Sequence, residues 1–274
     1  MINDRRFHAL NQEMRLATHA VCAGVTALHH ASAARSGSYS EAFFNLSIGI
    51  ERLIKLALVI DHCLSHAGTF PVDKDLRDKG HDIEALFNEA KAIRARYSST
   101  EPLAQIPNDA IVDSIVLCLS EFGKATRYYN LDYLVGGRTV SLGDPIVTWA
   151  DRVIKPVLER HYRPTRRERD SVRAGVLGQA LDTFTKVVFT AEDGSTITDS
   201  QAMLKHSSQT RVVQAWTPLY VLKLVRFLSF LLIDIHYETV QRRFEFVPWV
   251  GEYLGMFCNE DRYLRSRKAW KLPG

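Results

Sequence analysis

Residues 39–66 read YSEAFFNLSIGIERLIKLALVIDHCLSH, a segment that predicts one long helix with an apolar surface around most of its circumference. At about 100° per residue, its apolar side chains do not fit on one narrow face. A helix of this kind usually lies at the centre of a larger fold. Its polar side chains occupy roughly a third of the circumference, a sector that we call the polar stripe: Glu41, Asn45, Glu51, Arg52, Lys55, His62 and His66.

The composition is that of a folded chain with a mild positive charge. Of 274 residues, 46% are hydrophobic, and the formal net charge is +4 with a pI of about 8.8. This supports a well-filled core and is compatible with an anionic partner without requiring one. The sequence contains no P-loop, G-x-G-x-x-G, G-x-S-x-G or H-E-x-x-H motif. Walker-type nucleotide hydrolysis, hydride transfer and metalloproteolysis are therefore unsupported.

Several features predict a cytoplasmic protein. The first residues, MINDRRFHALNQEM, have no signal-peptide core. The four cysteines are widely spaced without a C-x-x-C pair, which favours reduced, buried thiols. The apolar segment 216–235 has the length of a membrane span but contains Lys223, Arg226 and Asp234. Because central charges are costly in lipid, we predict a buried bundle helix and no membrane partner.

Apolar periodicity and the positions of glycine, proline and capping residues predict the other elements. The predicted helices cover residues 7–34, 39–66, 80–97, 110–122, 145–158, 171–190, 200–205 and 217–243. Asp82 and the Asp144–Pro145 pair are expected to start helices, and residues 72–80 to form an exposed charged loop. The last helix has an alternative form, extended upstream through residues 211–216 with a kink.

No internal repeat and no sustained alternation of apolar and polar residues is present. We therefore predict an all-α fold. A helical bundle would comprise residues 1–164, with a C-terminal helical extension, residues 165–274, packed on the bundle.

The segments GIERLIKLAL (49–58) and GHDIEALFNEAK (80–91) resemble the HEPN family, helical domains found in nucleotide-binding and RNA-cleaving proteins. The resemblance covers about residues 10–130. It implies a HEPN-like bundle that commonly forms a homodimer, with a role in prokaryotic toxin–antitoxin, phage-defence or RNA-processing systems. Catalytic members cut RNA without a metal, using an arginine followed after four to six residues by a histidine. No Arg–His pair of this chain has that spacing; Arg77 and His81 have three residues between them.

The polar stripe is the first candidate site. Glu51 and Lys55 are one helical turn apart and can form an ion pair. With Arg52, they indicate an internal salt-bridge network, an exposed groove, or a site that faces a phosphate or nucleotide. RNA cleavage needs a base for the 2′-hydroxyl proton and a cation for the phosphate. We predict His62 or His81 as the proton-transfer group, and Arg127 and Arg52 as phosphate contacts.

Histidine is a common zinc ligand, so the histidines also suggest a zinc site. His62, His66, His81 and Asp82 are expected near one end of a helix hairpin, where they are potential ligands. Histidines at helix ends more often face solvent or compensate the helix dipole. The prediction is therefore no metal and no other cofactor.

The segment TRYYNLDYL (126–134) is aromatic and belongs to an irregular stretch, with room for one short helical turn around residues 127–134. Tyr128, with Arg127 and Asn130, can stack on a base and hold a phosphate, or the tyrosines can close the end of the bundle.

The segment RHYRPTRRERD (160–170) is basic. Its Arg163, Arg166 and Arg167 form either a phosphate-binding surface with the basic tail or a solvated face.

These residues leave two functions open. The first is a HEPN-like homodimer that binds RNA or a nucleotide, with metal-independent endoribonuclease activity in phage defence or stress response. The second is a non-catalytic dimeric interaction module whose aromatic tail binds a protein partner or seals the dimer. A salt-dependent affinity for RNA would favour the first function, and a large apolar dimer interface the second.

Overall fold

The computed structural model describes residues 4–97 and 99–271, and it confirms an all-α fold. The α-helices are α1 (Arg5–His30), α2 (Gly37–Ser65), α3 (Asp73–Asp78), α4 (Ile83–Arg94), α5 (Ala110–Lys124), α6 (Tyr129–Val135), α7 (Pro145–Trp149), α8 (Lys155–His161), α9 (Pro164–Asp182), α10 (Ser200–Gln241), α11 (Gly251–Leu254) and α12 (Asp261–Ser266). Strands β1 (Phe189–Thr190) and β2 (Thr196–Ile197) form an antiparallel hairpin.

Helix α2 is central, as its sequence predicts. It packs against α1, α4, α5 and α10, and Leu46, Ile50 and Leu53 are fully buried. Helices α1 and α2 approach each other closely at two glycines. A methyl group at Gly24 would lie 2.6 Å from Leu46 Cγ, and one at Gly49 would lie 2.9 Å from the backbone nitrogen of Val21. Neither position has room for a side chain.

The predicted helix starts at Asp82 and Asp144 are confirmed. The Asp82 carboxylate accepts a hydrogen bond from the Ala85 backbone nitrogen at 3.1 Å, and α4 follows. The Asp144 carboxylate accepts from the Ile146 nitrogen at 2.7 Å, and Pro145 is the first residue of α7. Both carboxylates satisfy donors that a helix leaves unpaired at its start.

Residues 72–80 are mostly exposed, as predicted, but the prediction that they form a loop is wrong, because α3 occupies most of the segment. This helix buries none of its residues, so apolar periodicity gives no signal for it. Asp73 and Asp75 lie in its first turn, where negative charge favours a helix. Asp73 also pairs with Arg77 one turn later.

The helix predicted over residues 171–190 is shifted in the structure. Helix α9 begins at Pro164, whose fixed φ and missing N–H suit the first helical position. It ends at Asp182, and residues 189–190 form β1 instead. The turn of the hairpin places Gly194 at φ +82°, a backbone conformation that glycine adopts without strain.

The helices predicted over residues 200–205 and 217–243 are one continuous helix, α10, with Pro218 inside it. Pro218 cannot donate to the carbonyl of Gln214, four residues earlier. His29 Nδ1 lies 3.1 Å from that carbonyl oxygen and replaces the missing donor. The Gln214 side chain in turn donates to the Ala31 carbonyl at 2.9 Å. Contacts with the end of α1 thus allow α10 to pass through the proline.

The fifth predicted helix contains an irregularity that the sequence analysis missed. Between α7 and α8, residues Ala150–Ile154 form a π-helical turn. Pro156 lies in the first turn of α8 and has no N–H for the carbonyl four residues earlier. A wider turn before it accommodates this missing bond, and such turns often lie at functional sites.

The C-terminal segment shares the core of the bundle. Helix α10 packs against α1, α2 and α5, and Phe257 and Trp270 of the tail are buried. The division near residue 164 stays a prediction. Among the helices of residues 4–97 and 99–271, none is both long enough and apolar enough to cross a membrane. Burial raises the pKa of the Cys22 and Cys118 thiols to about 11 and 12, so both stay protonated at neutral pH.

Candidate functional site

Four of the predicted site residues line one cavity of about 250 Å³ beside α2. They are Glu51, Arg52, His81 and Arg127. We call this cavity the His81 groove, and its full lining is Phe44, Ser47, Ile48, Glu51, Arg52, His81, Phe122, Gly123 and Arg127. The groove therefore joins the polar stripe of α2 to the start of α4 and the end of α5.

A histidine–carboxylate pair lies in the groove. His81 Nδ1 is 3.0 Å from Glu51 Oε2, and the Glu51 side chain is only 16% exposed. Because a carboxylate only accepts hydrogen bonds, Nδ1 carries the proton of the neutral imidazole. Nε2 therefore keeps its lone pair, and the His81 side chain is 65% exposed. This is the arrangement of an oriented general base.

Lys55 holds this pair in position. Its ammonium group donates to Glu51 Oε1 and to the Gly80 carbonyl, both at 2.8 Å. Gly80 has φ +57°, which lets the chain turn sharply before His81. One lysine thus fixes both the carboxylate and the loop that presents the imidazole.

The residue after His81 joins α4 to α5. Asp82 accepts hydrogen bonds from Ser120 Oγ at 2.9 Å and from Lys124 Nζ at 2.8 Å. The Lys124 ammonium group is the main cause that lowers the pKa of Asp82 to about 2. Asp82 is therefore ionised throughout the neutral range and holds the His81 backbone in place.

The two arginines of the groove have different partners. Arg52 pairs with Glu13 of α1, with 2.6 Å between Nη1 and Oε1. Arg127 is exposed, and its guanidinium carbon lies 5.4 Å from the centre of the Tyr128 ring. Arg127 forms no ion pair with a carboxylate in the described part of the chain. Its charge is therefore available to an anionic ligand.

His62 lies elsewhere. Its ring stacks on that of His66 at 3.9 Å in a cavity of about 550 Å³ between α2, α3 and α4. The carboxylates of this cavity are Asp61, Asp75, Asp78 and Glu89, against the cations Lys79 and Arg96. This excess of carboxylates disfavours a phosphate. The structure therefore separates His62 from the His81 groove. Residues 4–97 and 99–271 contain no cluster of ligands suited to a metal ion.

Tyr128 and Asn130 line a second cavity of about 250 Å³, which we call the tyrosine recess. Phe122 and Arg127 also line it, so the recess adjoins the His81 groove. The full lining of the recess is Ser40, Phe122, Thr126, Arg127, Tyr128, Tyr129, Asn130, Leu131, Asp144, Pro145 and Ile146.

The basic segment at the start of α9 lines neither the groove nor the recess. Arg167 donates to the Leu158 carbonyl at 2.9 Å, Arg166 lies 3.5 Å from Asp170, and Arg163 is exposed. Nearby, burial together with the charges of Arg160 and other cations lowers the pKa of His161 to about 4.

Sequence reasoning missed the apolar part of the groove. Phe44 and Ile48 lie in the same sector of α2 as the polar stripe, and Phe44 is half exposed. The sequence did contain a signal for them, because apolar side chains within the polar stripe indicate an apolar part of the same surface. It also missed a second histidine–carboxylate pair, in which His206 Nε2 is 2.7 Å from Glu192 Oε2. That pair lines a cavity of about 570 Å³ beside the π-helical turn.

Searches against protein-family models, curated proteins and solved structures find no match to this chain.

Proposed function

We propose that the chain binds RNA through a phosphate in the His81 groove and cleaves it without a metal. The observation that supports this most is the combination in one groove of His81, oriented by Glu51, with Arg127, whose charge has no carboxylate partner among the described residues. The acidic lining of the His62 cavity makes that site a weaker candidate. The HEPN resemblance of residues 49–58 and 80–91 agrees with the RNA binding, whereas His81 and Arg127 do not have the Arg–His spacing of the catalytic members of that family.

The proposed reaction is a transesterification. His81 Nε2 takes the proton of the ribose 2′-hydroxyl, and the oxygen attacks the neighbouring phosphorus. The bond from phosphorus to the 5′-oxygen breaks, and that oxygen takes a proton from the imidazolium. The products are a 2′,3′-cyclic phosphate and a 5′-hydroxyl. Arg127 stabilises the negative charge that develops on the phosphate oxygens.

The first experiment incubates the purified protein with a labelled tRNA pool in EDTA and scores both band shift and cleavage. We expect a shift and products that end in cyclic phosphate. His81→Asn should slow cleavage about 10²- to 10⁴-fold with little effect on binding. The matched control is His66→Asn, an exposed histidine of the other cavity, which should cleave normally.

Two further variants separate binding from positioning. Arg127→Ala should weaken RNA binding and reduce the slope of log affinity against log salt by about 1. Glu51→Gln should leave binding unchanged but slow cleavage. Lys55 keeps the amide oxygen as its acceptor, so the amide NH2 group faces Nδ1 and favours the tautomer in which Nε2 is protonated. No shift with any RNA would refute the whole proposal, and binding with unimpaired cleavage in His81→Asn would refute the role of His81.

A homodimeric interaction module is the second candidate function, and one observation favours it. Helix α6 buries none of its residues. Its exposed apolar side chains are Leu131, Tyr133, Leu134 and Val135. Apolar side chains grouped on one surface often mark an interface, and α6 adjoins the tyrosine recess. We infer that a second copy of the chain covers this face.

Sedimentation analysis tests the dimer. The wild-type protein should sediment as a dimer and Leu134→Glu as a monomer. Val172→Glu, on the exposed face of α9, is the matched control and should remain dimeric. A wild-type monomer at high protein concentration would contradict the inference.

A further inference from the structure

The His81 groove and the tyrosine recess share a wall. Phe122 and Arg127 line both, and each cavity has a volume of about 250 Å³. This is below the roughly 300–1,000 Å³ of pockets for drug-sized ligands. Each cavity therefore suits a group of about the size of one base. A phosphate at Arg127 would have one cavity on each side of it.

The recess contains polar groups without partners. The Asn130 side chain forms no hydrogen bond within the residues that the structure describes. Asp144 uses Oδ1 to accept from the Ile146 and Val147 nitrogens, at 2.7 and 3.4 Å, while its Oδ2 has no partner there. Tyr128 is 58% exposed. The recess thus has an amide, a carboxylate oxygen and an aromatic face for a ligand.

The geometry points to the tyrosine recess as a binding site for adenine, in the nucleotide next to the phosphate that Arg127 holds. The inference rests on the proposed RNA binding at Arg127. An asparagine amide pairs with adenine through two hydrogen bonds, to N6 and N7. Unpaired bases of RNA expose this edge and stack on aromatic rings such as Tyr128.

Asp144 strengthens the choice of base. Its free Oδ2 only accepts hydrogen bonds, so it favours a base with an exocyclic amino group. Uracil presents the O4 carbonyl at the corresponding position, and two acceptors repel each other. The recess should therefore discriminate against uracil.

Fluorescence anisotropy can test this site with two labelled single-stranded RNAs. One is deca-uridylate, and the other has a single central adenosine. The adenosine should tighten binding about tenfold, the order expected for one two-bond contact to a base. A third RNA carries 7-deazaadenosine, which lacks N7 and should lose much of this gain. Asn130→Ala should abolish the preference, so that the two RNAs bind this variant with equal affinity.

Controls separate this inference from the proposed function. Tyr128→Ala should weaken binding of the adenosine-containing RNA, whereas Tyr133→Ala should not, because Tyr133 is exposed on the adjoining helix α6 but does not line the recess. Equal binding of the two RNAs, or a preference that survives Asn130→Ala, overturns the adenine site alone. If Arg127→Ala leaves the affinity for both RNAs unchanged, the proposed function itself fails.

Discussion

Replacement of Gly49 by alanine is a sharp test of the α1–α2 contact. Gly49 lies in the segment that carries the HEPN resemblance. The added methyl would lie 2.8 Å from Val21 Cγ2, 2.9 Å from the Val21 nitrogen and 3.1 Å from the Ala17 carbonyl oxygen. Two of these three atoms belong to the backbone of α1. A side chain can rotate away from a new methyl group, but a helix backbone can only move as a whole.

The expected loss of stability is the difference between two effects. Overpacking of a close contact costs about 1–3 kcal/mol, and contact with backbone atoms favours the upper part of this range. Alanine also favours the helical conformation over glycine by about 1 kcal/mol. The net decrease in the free energy of unfolding is therefore about 1–2 kcal/mol. In chains of similar size this lowers Tm by about 2–4 °C per kcal/mol.

Urea and thermal unfolding followed by circular dichroism measure this effect. The matched control is Gly175→Ala in the interior of α9, where the nearest atom to the new methyl is the flexible Gln201 Nε2 at 3.7 Å. That variant should be more stable than the wild type by up to about 1 kcal/mol. If Gly49→Ala is as stable as Gly175→Ala, the close approach of α1 and α2 is refuted.

Two further predictions concern buried charge and pH. Asp234→Ala removes the ion-pair partner of Arg94, whose side chain is 8% exposed and lies 2.7 Å from Asp234. Urea unfolding should show that the free energy of unfolding falls by about 3 kcal/mol, because the mutation leaves a buried charge unpaired. A decrease below about 0.5 kcal/mol would contradict this pairing. His161 has a pKa of about 4 in the folded protein against an ordinary 6.5, so its contribution to stability is present above pH 6.5 and is lost as the pH falls towards 4. After allowance for the partial exposure of the ring, the contribution of His161 to the free energy of unfolding is about 1–2 kcal/mol. His161→Gln should therefore reduce the change in the urea midpoint between pH 7 and pH 5.

The helices that bury an apolar face could be predicted from the sequence. Helix α2 and its buried positions follow from the 3.6-residue period, and Asp82 and Asp144 identify two helix starts. Elements without a buried face could not be predicted in this way, as α3 shows. The continuity of α10 also escaped prediction, because the group that replaces the missing donor at Pro218 is His29, which is distant in sequence.

The candidate site could be predicted only in part. Glu51, Arg52 and Lys55 were found because one helix face holds them. The contact between Glu51 and His81 depends on how α4 is held against α5, which the sequence does not give directly. His62 shares the face of Glu51, but it lies three turns further along α2 and faces a different cavity. A helical wheel shows angle and not height, which explains why His62 was grouped with Glu51, Arg52 and Lys55.

The hydrogen bonds between the end of α1 and the interior of α10 have a consequence for the alignment of the two helices. Apolar surfaces can slide by a helical turn with little change in buried area, because their contacts have no direction. Here the Gln214 carbonyl and amide each bind one group at the end of α1. A slide of one turn, about 5.4 Å, would leave the Gln214 carbonyl, to which Pro218 cannot donate, without any hydrogen-bond donor. Pro218 therefore makes one alignment of α1 and α10 more favourable than its neighbours, because only that alignment gives the Gln214 carbonyl a donor. The missing N–H of a proline thus helps to select the packing of the bundle.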